Sequence, residues 1–499
     1  MSLDVAKSVA KNTSFMMGSQ VITWVSSFVL MLFLPRYLGS ADYGRLYLAM
    51  SVAMLVQILI EFGGPYFITK EVSRSRNTTA HLLVNSIALR ILLWAASILI
   101  LVVFSSVAGY SPTVKTLILI LGVSKLWEGA RRVLASCFQG FEMMQYPSLG
   151  AVVERVFVAA AGVGALLMGA DSTGIALIMV ASTLLNFLVI IKFTPRIVSS
   201  LPPVEWKATA GLIPAGLPYF LWSLFAVAYY RIDAVMLSLL VPETVVGWYG
   251  AAYRVFDILM FLPSIFSVAV FPVLSRFGTH DPDRLARTTQ KSLECIIIAG
   301  IPISIGVFAF AQPFIQFFFG LNEYSQSVPL LQIFAVGLLL VYVDFVLGTA
   351  LFASDKQRQW TGVAFAALVL NAGLNYALIP STQTQFGNGG IGSAIATVVT
   401  ECFVMSVAIV LMPAGLLKAL QLAVPLKSLG AGVLMAGSIW LMRTEEIAWV
   451  VQGIISLIVY GGALLALKAI APSEAALIRS LFSVRAVRRA LVPQKGTSV

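Results

Sequence analysis

The sequence predicts an all-α integral membrane protein with about fourteen transmembrane helices. Of its 499 residues, 59% are hydrophobic and only 11% are charged, and the mean hydropathy is +0.92. Soluble globular chains carry about 25% charged residues. The apolar residues also fall into stretches of roughly 20, the length that crosses a hydrocarbon core about 30 Å thick. We therefore expect lipid to surround most of the chain.

Fourteen such stretches follow one another along the chain. They lie near residues 13–34, 45–68, 82–104, 114–137, 147–169, 173–194, 211–240, 248–275, 293–311, 328–353, 361–379, 389–412, 427–442 and 446–470. The first is too long for the core of a signal peptide and lacks a small-residue cleavage site, so we expect it to remain as a helix. The three cysteines, Cys137, Cys295 and Cys402, are far apart. That spacing favours apolar packing over a disulfide or a metal site.

The basic residues indicate how the helices are oriented. If the N-terminus is cytoplasmic and the chain alternates sides, most of the 33 Lys and Arg residues fall in cytoplasmic segments. The predicted outer loops hold only Arg36, Arg45, Lys115 and Arg443. This asymmetry follows the positive-inside rule and predicts a multi-pass cell-membrane protein with both termini in the cytoplasm. It also accounts for the net charge of +11 without a nucleic-acid partner.

The second half of the chain resembles the first. The segment YGRLYLAMSVAMLVQILIEFGGPYFITKEVSR (43–74) is similar to VGWYGAAYRVFDILMFLPSIFSVAVFPVLSR (246–276) if one gap is allowed. Each begins with glycine and aromatic residues, continues as an apolar helix that contains proline, and ends in a basic residue. The offset corresponds to six helices, an even number, so both copies keep the same orientation. The sequence therefore predicts parallel repeats around an axis along the membrane normal, an architecture of transporters with a central cavity.

Short motifs connect the chain to a known family. PRYLGSADYG (35–44) resembles the R-x-LG-x-x-x-YG motif of polysaccharide flippases, the polysaccharide transporter branch of the multidrug/oligosaccharidyl-lipid/polysaccharide exporter superfamily, which includes O-antigen flippases. Further segments resemble that family in the expected order. They are RIDAVMLSLL (231–240), GWYGAAYR (247–254), FPVLSR (271–276), LNAGLNYALIP (370–380) and GGIGSAIAT (389–397).

The resemblance implies both an architecture and an activity. It implies two six-helix lobes that form a V around a central cavity, followed by two extra helices. The predicted divisions are an N-lobe at 1–200, a C-lobe at 201–415, helices 13 and 14 at 416–470, and a basic cytoplasmic tail at 471–499. The implied activity is alternating-access export of a polyprenyl-pyrophosphate-linked oligosaccharide from the cytoplasmic to the outer leaflet. The implied partners are this lipid-linked oligosaccharide, membrane lipids and other polysaccharide-assembly proteins.

Charged residues within the apolar stretches are the candidate substrate path. A charge at a helix centre costs about 2.5–3.5 kcal/mol on insertion scales, so it normally faces a partner or water. In the first half these cations are Arg90, Lys125 and Arg155. They could form a cationic wall for pyrophosphate, because Arg and Lys donate charge-assisted hydrogen bonds to phosphate oxygens. Internal ion pairing with Glu61 or Glu154 is the alternative role.

Helical spacing also predicts ion-pair partners for several of these charged residues. Glu128 is spaced to meet Lys125, Arg131 and Arg132 on one helix face. In the second half, Arg231, Asp233, Arg254 and Asp257 fall nearer the outer side of the membrane. Arg254 and Asp257 stand one helical turn apart and could pair with each other, or with Asp233 and Arg231 on the neighbouring helix. A structural latch and a contact with substrate both remain open for this group.

No cofactor or metal site is expected. Coupling to an ion and facilitated flipping driven by removal of the product both remain open. Glu61, Glu154, Asp233 and Asp257 are acids that could bind H⁺ or Na⁺, or could serve only as partners for arginine. The membrane potential could also drive export, since the pyrophosphate carries negative charge out of an electrically negative interior.

Other functions can be weighed against export. The sequence contains no Gly-Lys dipeptide and hence no phosphate-binding P-loop, so ATP hydrolysis is not expected. A cation-coupled multidrug or solute antiporter of the same superfamily is the main alternative, although it would favour acids over arginines in the cavity. A polysaccharide polymerase or ligase is less favoured, because every predicted outer loop is short. The chain is therefore predicted not to be an enzyme.

The predicted tail contains a helical pattern of apolar residues among arginines. Leu477, Leu481 and Val484 recur at helical spacing near Arg485 and Arg488. Such a helix could lie on the anionic inner leaflet, and a frayed polar tail is the alternative.

Overall fold

The computed structural model of the chain describes residues 3–278, 280–412, 422–443 and 447–469. In these residues the chain forms α-helices joined by short turns, in agreement with the predicted all-α class. The helices are α1 Leu3–Glu61, α2 Gly64–Arg74, α3 Thr79–Val107, α4 Pro112–Gly140, α5 Gln145–Leu167, α6 Ser172–Ile191, α7 Trp206–Leu240, α8 Glu243–Leu259, α9 Phe261–Phe277, α10 Pro282–Ala309, α11 Ala311–Phe318, α12 Leu321–Tyr324, α13 Ser327–Ala353, α14 Gln357–Phe386, α15 Gly390–Leu411, α16 Ala423–Met442 and α17 Trp449–Ala466. The predicted tail at 471–499 lies outside the described residues.

Twelve spans in the described part of the chain are long and apolar enough to cross a membrane. One of them, within α1, covers 44 residues, more than twice the length that a single crossing needs. It breaks at Gly39, whose φ of 75° and ψ of 170° are not helical. The charged helix α4 is not among the twelve. The chain is therefore a multi-pass membrane protein, and the total of fourteen helices stays a prediction.

Two predicted spans are interrupted rather than continuous. Within the predicted span 45–68, helix α1 ends at Glu61. The next two residues, Phe62 and Gly63, both adopt positive φ, 43° and 69°. The span 248–275 is divided between α8 and α9 at Met260. Pro263 explains the second break, because it has no backbone N–H to donate to the preceding turn. The two repeats thus each contain a helix interruption in their first long apolar segment.

The described helices form two compact units. The first contains α1–α8, α11–α12, the start of α13, α14 and most of α15. The second contains α9, α10, the rest of α13, α16 and α17. Within the first unit, Ile68, Val133, Phe138 and Ile190 belong to an apolar core in which Cys137 is fully buried. The division into lobes at residues 200 and 201 stays a prediction.

Candidate functional site

The helices α1 and α8 cross at two glycines of the repeated segments. A Cβ atom added to Gly44 would lie 2.8 Å from the backbone nitrogen of Gly247 and would also meet the carbonyl oxygen of Glu243. A Cβ atom on Gly250 would lie 2.7 Å from the ring of Tyr47. Only residues without side chains allow two helices to approach this closely. The motifs at 35–44 and 247–254 are therefore in direct contact.

Polar side chains surround this crossing. The Arg45 guanidinium pairs with Asp42 at 2.6 Å and with the carboxylate of Glu243. The Ser111 hydroxyl donates to Glu243 Oε1 at 3.1 Å. Asp42 and Arg45 follow the break in α1 at Gly39, and Ser111 and Glu243 lie at the starts of α4 and α8. The positive-inside rule assigns this level to the outer side. We call the Gly44–Gly247 crossing together with Asp42, Arg45, Ser111 and Glu243 the outer closure.

The segment α11–α12 forms hydrogen bonds with both motifs, the one at 35–44 and the one at 247–254. The backbone N–H of Ser40 donates to Glu323 Oε2 at 2.7 Å, and the Tyr324 hydroxyl donates to the carbonyl of Pro35 at 3.0 Å. The indole N–H of Trp248 donates to the carbonyl of Glu323 at 2.7 Å. Glu323 thus accepts from the first motif with its side chain and from the second with its backbone.

These contacts explain the residue types of the first motif. Arg36 donates to the carbonyl of Phe317 at 3.0 Å. Gly39 provides the break in α1, and a Cβ atom there would lie 2.8 Å from Glu323 Oε2. Gly44 allows the approach of α8. The partners of this motif could not be predicted from the sequence, because they lie about 200 to 280 residues away in the chain.

A second cluster gathers the charges of α1 and α4. Glu128 Oε2 lies 2.6 Å from the ammonium of Lys125, and its Oε1 lies 3.4 Å from Arg132 and 3.8 Å from Arg131. Arg132 Nε is also 2.8 Å from Glu61 Oε1. The predicted shared face of Glu128 with its three cations is confirmed. We call these five residues together with Arg90 the cationic cluster.

The cationic cluster has an excess of positive charge. Its cations, Arg90, Lys125, Arg131 and Arg132, outnumber the acids Glu61 and Glu128 by two. The Arg132 side chain is 42% exposed, whereas those of Lys125 and Arg131 are 14% and 16% exposed. Arg132 is therefore the most accessible cation of the group. From the sequence, Arg132 was predicted only as a partner of Glu128.

Arg90 binds backbone rather than a carboxylate. It is only 3% exposed, and its guanidinium donates to the carbonyls of Ser86 at 3.1 Å and Glu61 at 3.2 Å. Glu61 is the last residue of α1, so its carbonyl has lost its helical partner at the Phe62–Gly63 break. In a membrane such a group needs an internal donor. Arg90 therefore caps α1 and has little surface left for a substrate in this conformation.

Neither Arg155 nor Glu154 forms an ion pair with the cationic cluster, but the Glu154 carboxylate lies within electrostatic range of Arg131 and Arg132 and offsets part of its positive charge. Glu154 accepts a hydrogen bond from the side-chain amide of Asn186 at 2.5 Å. The Arg155 side chain is exposed. Within the described residues it has no ion-pair partner.

In the second half, the ion pair forms between neighbouring helices. Arg231 of α7 lies 3.2 Å from Asp257 Oδ2 of α8, and its guanidinium stacks over the ring of Tyr253 at 5.5 Å. This is one of the two pairings that the spacing left open. Arg254 pairs with neither acid, and it lies within electrostatic range of Tyr43.

Asp233 is buried among neutral hydrogen-bond donors. It is 2% exposed and accepts from the Tyr249 hydroxyl at 2.8 Å, the Asn375 amide at 2.7 Å and the Thr397 hydroxyl at 2.9 Å. The same amide of Asn375 also donates to Asn371 Oδ1 at 2.8 Å. No group of three or more His, Cys, Asp or Glu residues suited to a metal ion occurs in the part of the chain that the structure describes.

Comparison with known proteins connects these features to a family. A model described as polysaccharide biosynthesis protein matches residues 9–278, and a MatE model matches residues 218–377. Two curated proteins of Haloferax volcanii are similar to the chain. The probable low-salt glycan biosynthesis flippase Agl15 is 22% identical over 368 residues, 73% of this chain and 75% of Agl15. The probable flippase AglR is 24% identical over 213 residues, 42% of this chain and 43% of AglR.

Two solved structures share the fold. The lipid II flippase MurJ in an inward closed conformation superimposes with a TM-score of 0.71 and 16% identity, over 95% of this chain and 100% of that chain. An inward-facing multidrug resistance transporter of the MATE family gives a TM-score of 0.65 and 14% identity, over 79% and 95%. These relatives are flippases and transporters rather than enzymes, in agreement with the sequence-based prediction. Since the polysaccharide biosynthesis model covers more than half of the 499 residues, the chain belongs to the polysaccharide biosynthesis protein family, within the exporter superfamily that its motifs predicted.

Proposed function

We propose that this protein flips a polyprenyl-pyrophosphate-linked oligosaccharide from the cytoplasmic to the outer leaflet by alternating access. The observation that carries the proposal is the excess of positive charge in the cationic cluster, inside a membrane-spanning bundle. Charged groups in such a position are costly unless they serve a partner. The similarity to Agl15, a probable glycan biosynthesis flippase, and to AglR, a probable flippase, supports a lipid-linked glycan as that partner.

The cationic cluster suits pyrophosphate in charge and geometry. Its four cations still outnumber the acids Glu61, Glu128 and the nearby Glu154, so its net charge is opposite to that of the linkage. Arg132 is partly exposed and presents a planar fork of N–H donors, which fits phosphate oxygens in a bidentate manner. Lys125 and Arg131 supply further donors beside it. Arg90 has a supporting role, because it holds the end of α1 next to Glu61.

The three predicted path residues outside the cationic cluster, Arg254, Arg231 and Arg155, differ in how far they are available to a substrate. Arg254 makes no ion pair with Asp233 or Asp257 and therefore keeps donors for a substrate. Arg231 is held by Asp257 and Tyr253, and can bind an anion only if that pair opens. Arg155 is exposed and lies outside the cationic cluster, so it is the predicted path residue with the least support.

The outer closure supports alternating access. In this conformation α1 and α8 touch at Gly44 and Gly247, and Arg45 bridges to Glu243. The side chains of Arg45 and Glu243 are each about one-third exposed, 30% and 34%. Ion pairs with such exposure contribute only about 0–1 kcal/mol. The ion pair of the outer closure can therefore break at low cost when the substrate must leave on the outer side.

Asp233 is the acid best suited to ion coupling. Glu61 and Asp257 have arginine partners, whereas the hydrogen bonds of Asp233 come from Tyr249, Asn375 and Thr397, which are neutral. Asn375 Oδ1 is buried without a hydrogen-bond partner in the described residues. Carboxylate, amide and hydroxyl oxygens are ligands that hard cations accept. We propose that Asp233 and these oxygens bind Na⁺, or that Asp233 binds H⁺, to reset the empty carrier.

The membrane potential adds to the driving force. One elementary charge crossing the membrane is worth about 2.3 kcal/mol per 100 mV. The arginines stay with the protein, so their charge does not cancel the outward movement of the pyrophosphate. Export of about two negative charges would then gain roughly 5 kcal/mol per 100 mV.

A cation-coupled drug antiporter is the second candidate. The MatE model matches residues 218–377, which include the buried Asp233. A substrate comparison in proteoliposomes separates the two functions. Flipping of a fluorescent polyprenyl-pyrophosphate glycan, with no uptake of lipophilic cations, is the expected result. Uptake of cations without flipping would favour the antiporter.

A further inference from the structure

A lateral groove lies between α10, α13 and α16, within the second compact unit. Its volume is about 340 Å³. Its apolar walls are formed by Ile305 and Phe308 of α10, Val336 of α13, and Ile439 and Trp440 of α16. Arg443 lies at one end. This groove has no role in the flipping mechanism proposed above.

The groove arises because α10 and α16 separate after a close contact. At Gly432 the helices touch, since a Cβ atom there would lie 2.8 Å from Ile301 and 2.9 Å from Ile305. Arg443 follows eleven residues later, roughly 16 Å along the helix axis. Between these points the lining includes Ala309, Ala335 and Ala436, which leave the space unfilled. The groove therefore extends from the contact at Gly432 toward the end of α16 that the positive-inside rule assigns to the outer side.

The groove is complementary to a lipid with an anionic headgroup, because its walls are apolar and an arginine lies at one end. Val336 and Trp440 are 55% and 70% exposed, so the walls face the hydrocarbon. An acyl chain fills such a space, whereas water would leave apolar surface unsatisfied. At the polar end, Arg443 is exposed and has no ion-pair partner among the described residues. A guanidinium at that depth binds a phosphodiester with charge-assisted hydrogen bonds.

We propose that this groove binds a resident anionic phospholipid of the outer leaflet, with one acyl chain between α10 and α16 and its phosphate at Arg443. The lipid fills the gap that the three alanines leave and joins α16 to the bundle. It is not the transported substrate, and the proposal does not depend on the identity of that substrate. The positive-inside rule makes an outer arginine uncommon. Of the other predicted outer arginines, Arg36 binds the carbonyl of Phe317 and Arg45 pairs with Glu243. Arg443 has no such partner among the described residues, and Glu445 and Glu446, which follow it in the sequence, lie outside them.

Native mass spectrometry of the detergent-purified full chain tests the proposal, with phosphatidylglycerol and phosphatidylcholine as probes. We expect phosphatidylglycerol to bind more tightly. Arg443→Ala should weaken its binding about fivefold and leave phosphatidylcholine binding unchanged, as expected for one basic residue near an anionic lipid. Ala436→Phe should abolish the binding of both lipids, because the ring fills the groove. Lys115→Ala, another predicted outer cation, should change nothing.

Three results would overturn the proposal. One is phosphatidylglycerol binding that neither Arg443→Ala nor Ala436→Phe weakens. The second is a loss of thermal stability in Arg443→Ala that is the same with and without added lipid, which would mean that the arginine serves the protein itself. The third is displacement of phosphatidylglycerol from the groove by a polyprenyl pyrophosphate at a concentration at which phosphatidylcholine does not displace it, which would assign the groove to the substrate lipid instead.

Discussion

Gly44 of α1 and Gly247 of α8 pack backbone against backbone, at matching positions of the two repeated segments. Each glycine is required because the other helix occupies the place of its side chain. The repeat thus produces a symmetric contact at the predicted outer side, where two copies of one segment meet. Closure of that side is a property of the repeat itself, and the surrounding ion pairs only reinforce it.

Adding a methyl group at this crossing should impair transport. Gly44→Ala or Gly247→Ala places a Cβ atom against backbone, which cannot move aside as a flexible side chain would. We expect the outer side to remain open, so that a cysteine at Ser238 becomes reactive to a membrane-impermeant maleimide. Gly164→Ala is the matched control, because nothing lies within 4 Å of its Cβ position. It should transport normally and gain up to about 1 kcal/mol in stability from helix propensity. Equal labelling in all variants would contradict the crossing as a gate.

Arg90 should matter for folding more than for binding. Arg90→Ala leaves the carbonyls of Ser86 and Glu61 without their charged donor. Since hydrogen bonds to charged groups contribute about 1.5–3 kcal/mol each, the free energy of unfolding should fall by about 3 kcal/mol or more. Arg90→Lys should recover part of it, because an ammonium reaches one carbonyl. Thermal unfolding in detergent measures both. A stable Arg90→Ala variant that only fails to bind lipid pyrophosphate would show that the capping role is wrong.

Asp233 should carry the dependence on a coupling ion. Asp233→Asn keeps the size of the side chain and removes its charge, so Na⁺ or H⁺ should no longer stabilise the protein. We expect wild-type thermal stability to rise with Na⁺ or to change with pH, and the variant to lose that response. Asp257→Asn is the control, because Asp257 already has a cationic partner in Arg231. Loss of the ion response in Asp257→Asn alone would move the coupling site there.

The orientation of the chain follows from its basic residues and can be measured directly. Gln385 and His280 are exposed and are predicted to face opposite sides of the membrane. In a cysteine-free background, Gln385→Cys should react with an impermeant maleimide added to whole cells. His280→Cys should react only after permeabilisation. The reverse pattern would invert the topology and place the cationic cluster on the outer side.

The position and length of the helices could be predicted from the apolar stretches, and several observed helix ends lie within a residue or two of the predicted ones. The stretch 328–353 became Ser327–Ala353, and 389–412 became Gly390–Leu411. The interruption at Phe62 is not visible in hydropathy, which continues through it, although the adjoining Gly63, Gly64 and Pro65 are a local signal for a break. The break at Gly39 lies between the predicted spans 13–34 and 45–68, where a connection was expected.

The site was predictable where partners are local in sequence. Glu128 meets Lys125 and Arg132 at helical spacing, as expected. The partners of Asp233 were not predictable, since Asn375 and Thr397 lie 142 and 164 residues away. The role of Arg90 was missed for another reason. A charge pattern identifies charged partners, and the partners of Arg90 are backbone carbonyls.

The initial rate of outward flipping of a fluorescent polyprenyl-pyrophosphate glycan in proteoliposomes tests the central claim most directly. The comparison requires Arg132→Ala, Arg132→Lys and, as a control, Arg287→Ala on the exposed face of α10. Loss of one charged hydrogen-bonding partner, worth about 1.5–3 kcal/mol, should slow Arg132→Ala at least tenfold. Arg132→Lys should recover part of the rate, and Arg287→Ala should match the wild type. If Arg132→Ala flips the substrate at the wild-type rate, the cationic cluster does not bind the pyrophosphate and its charges only hold α1 and α4 together.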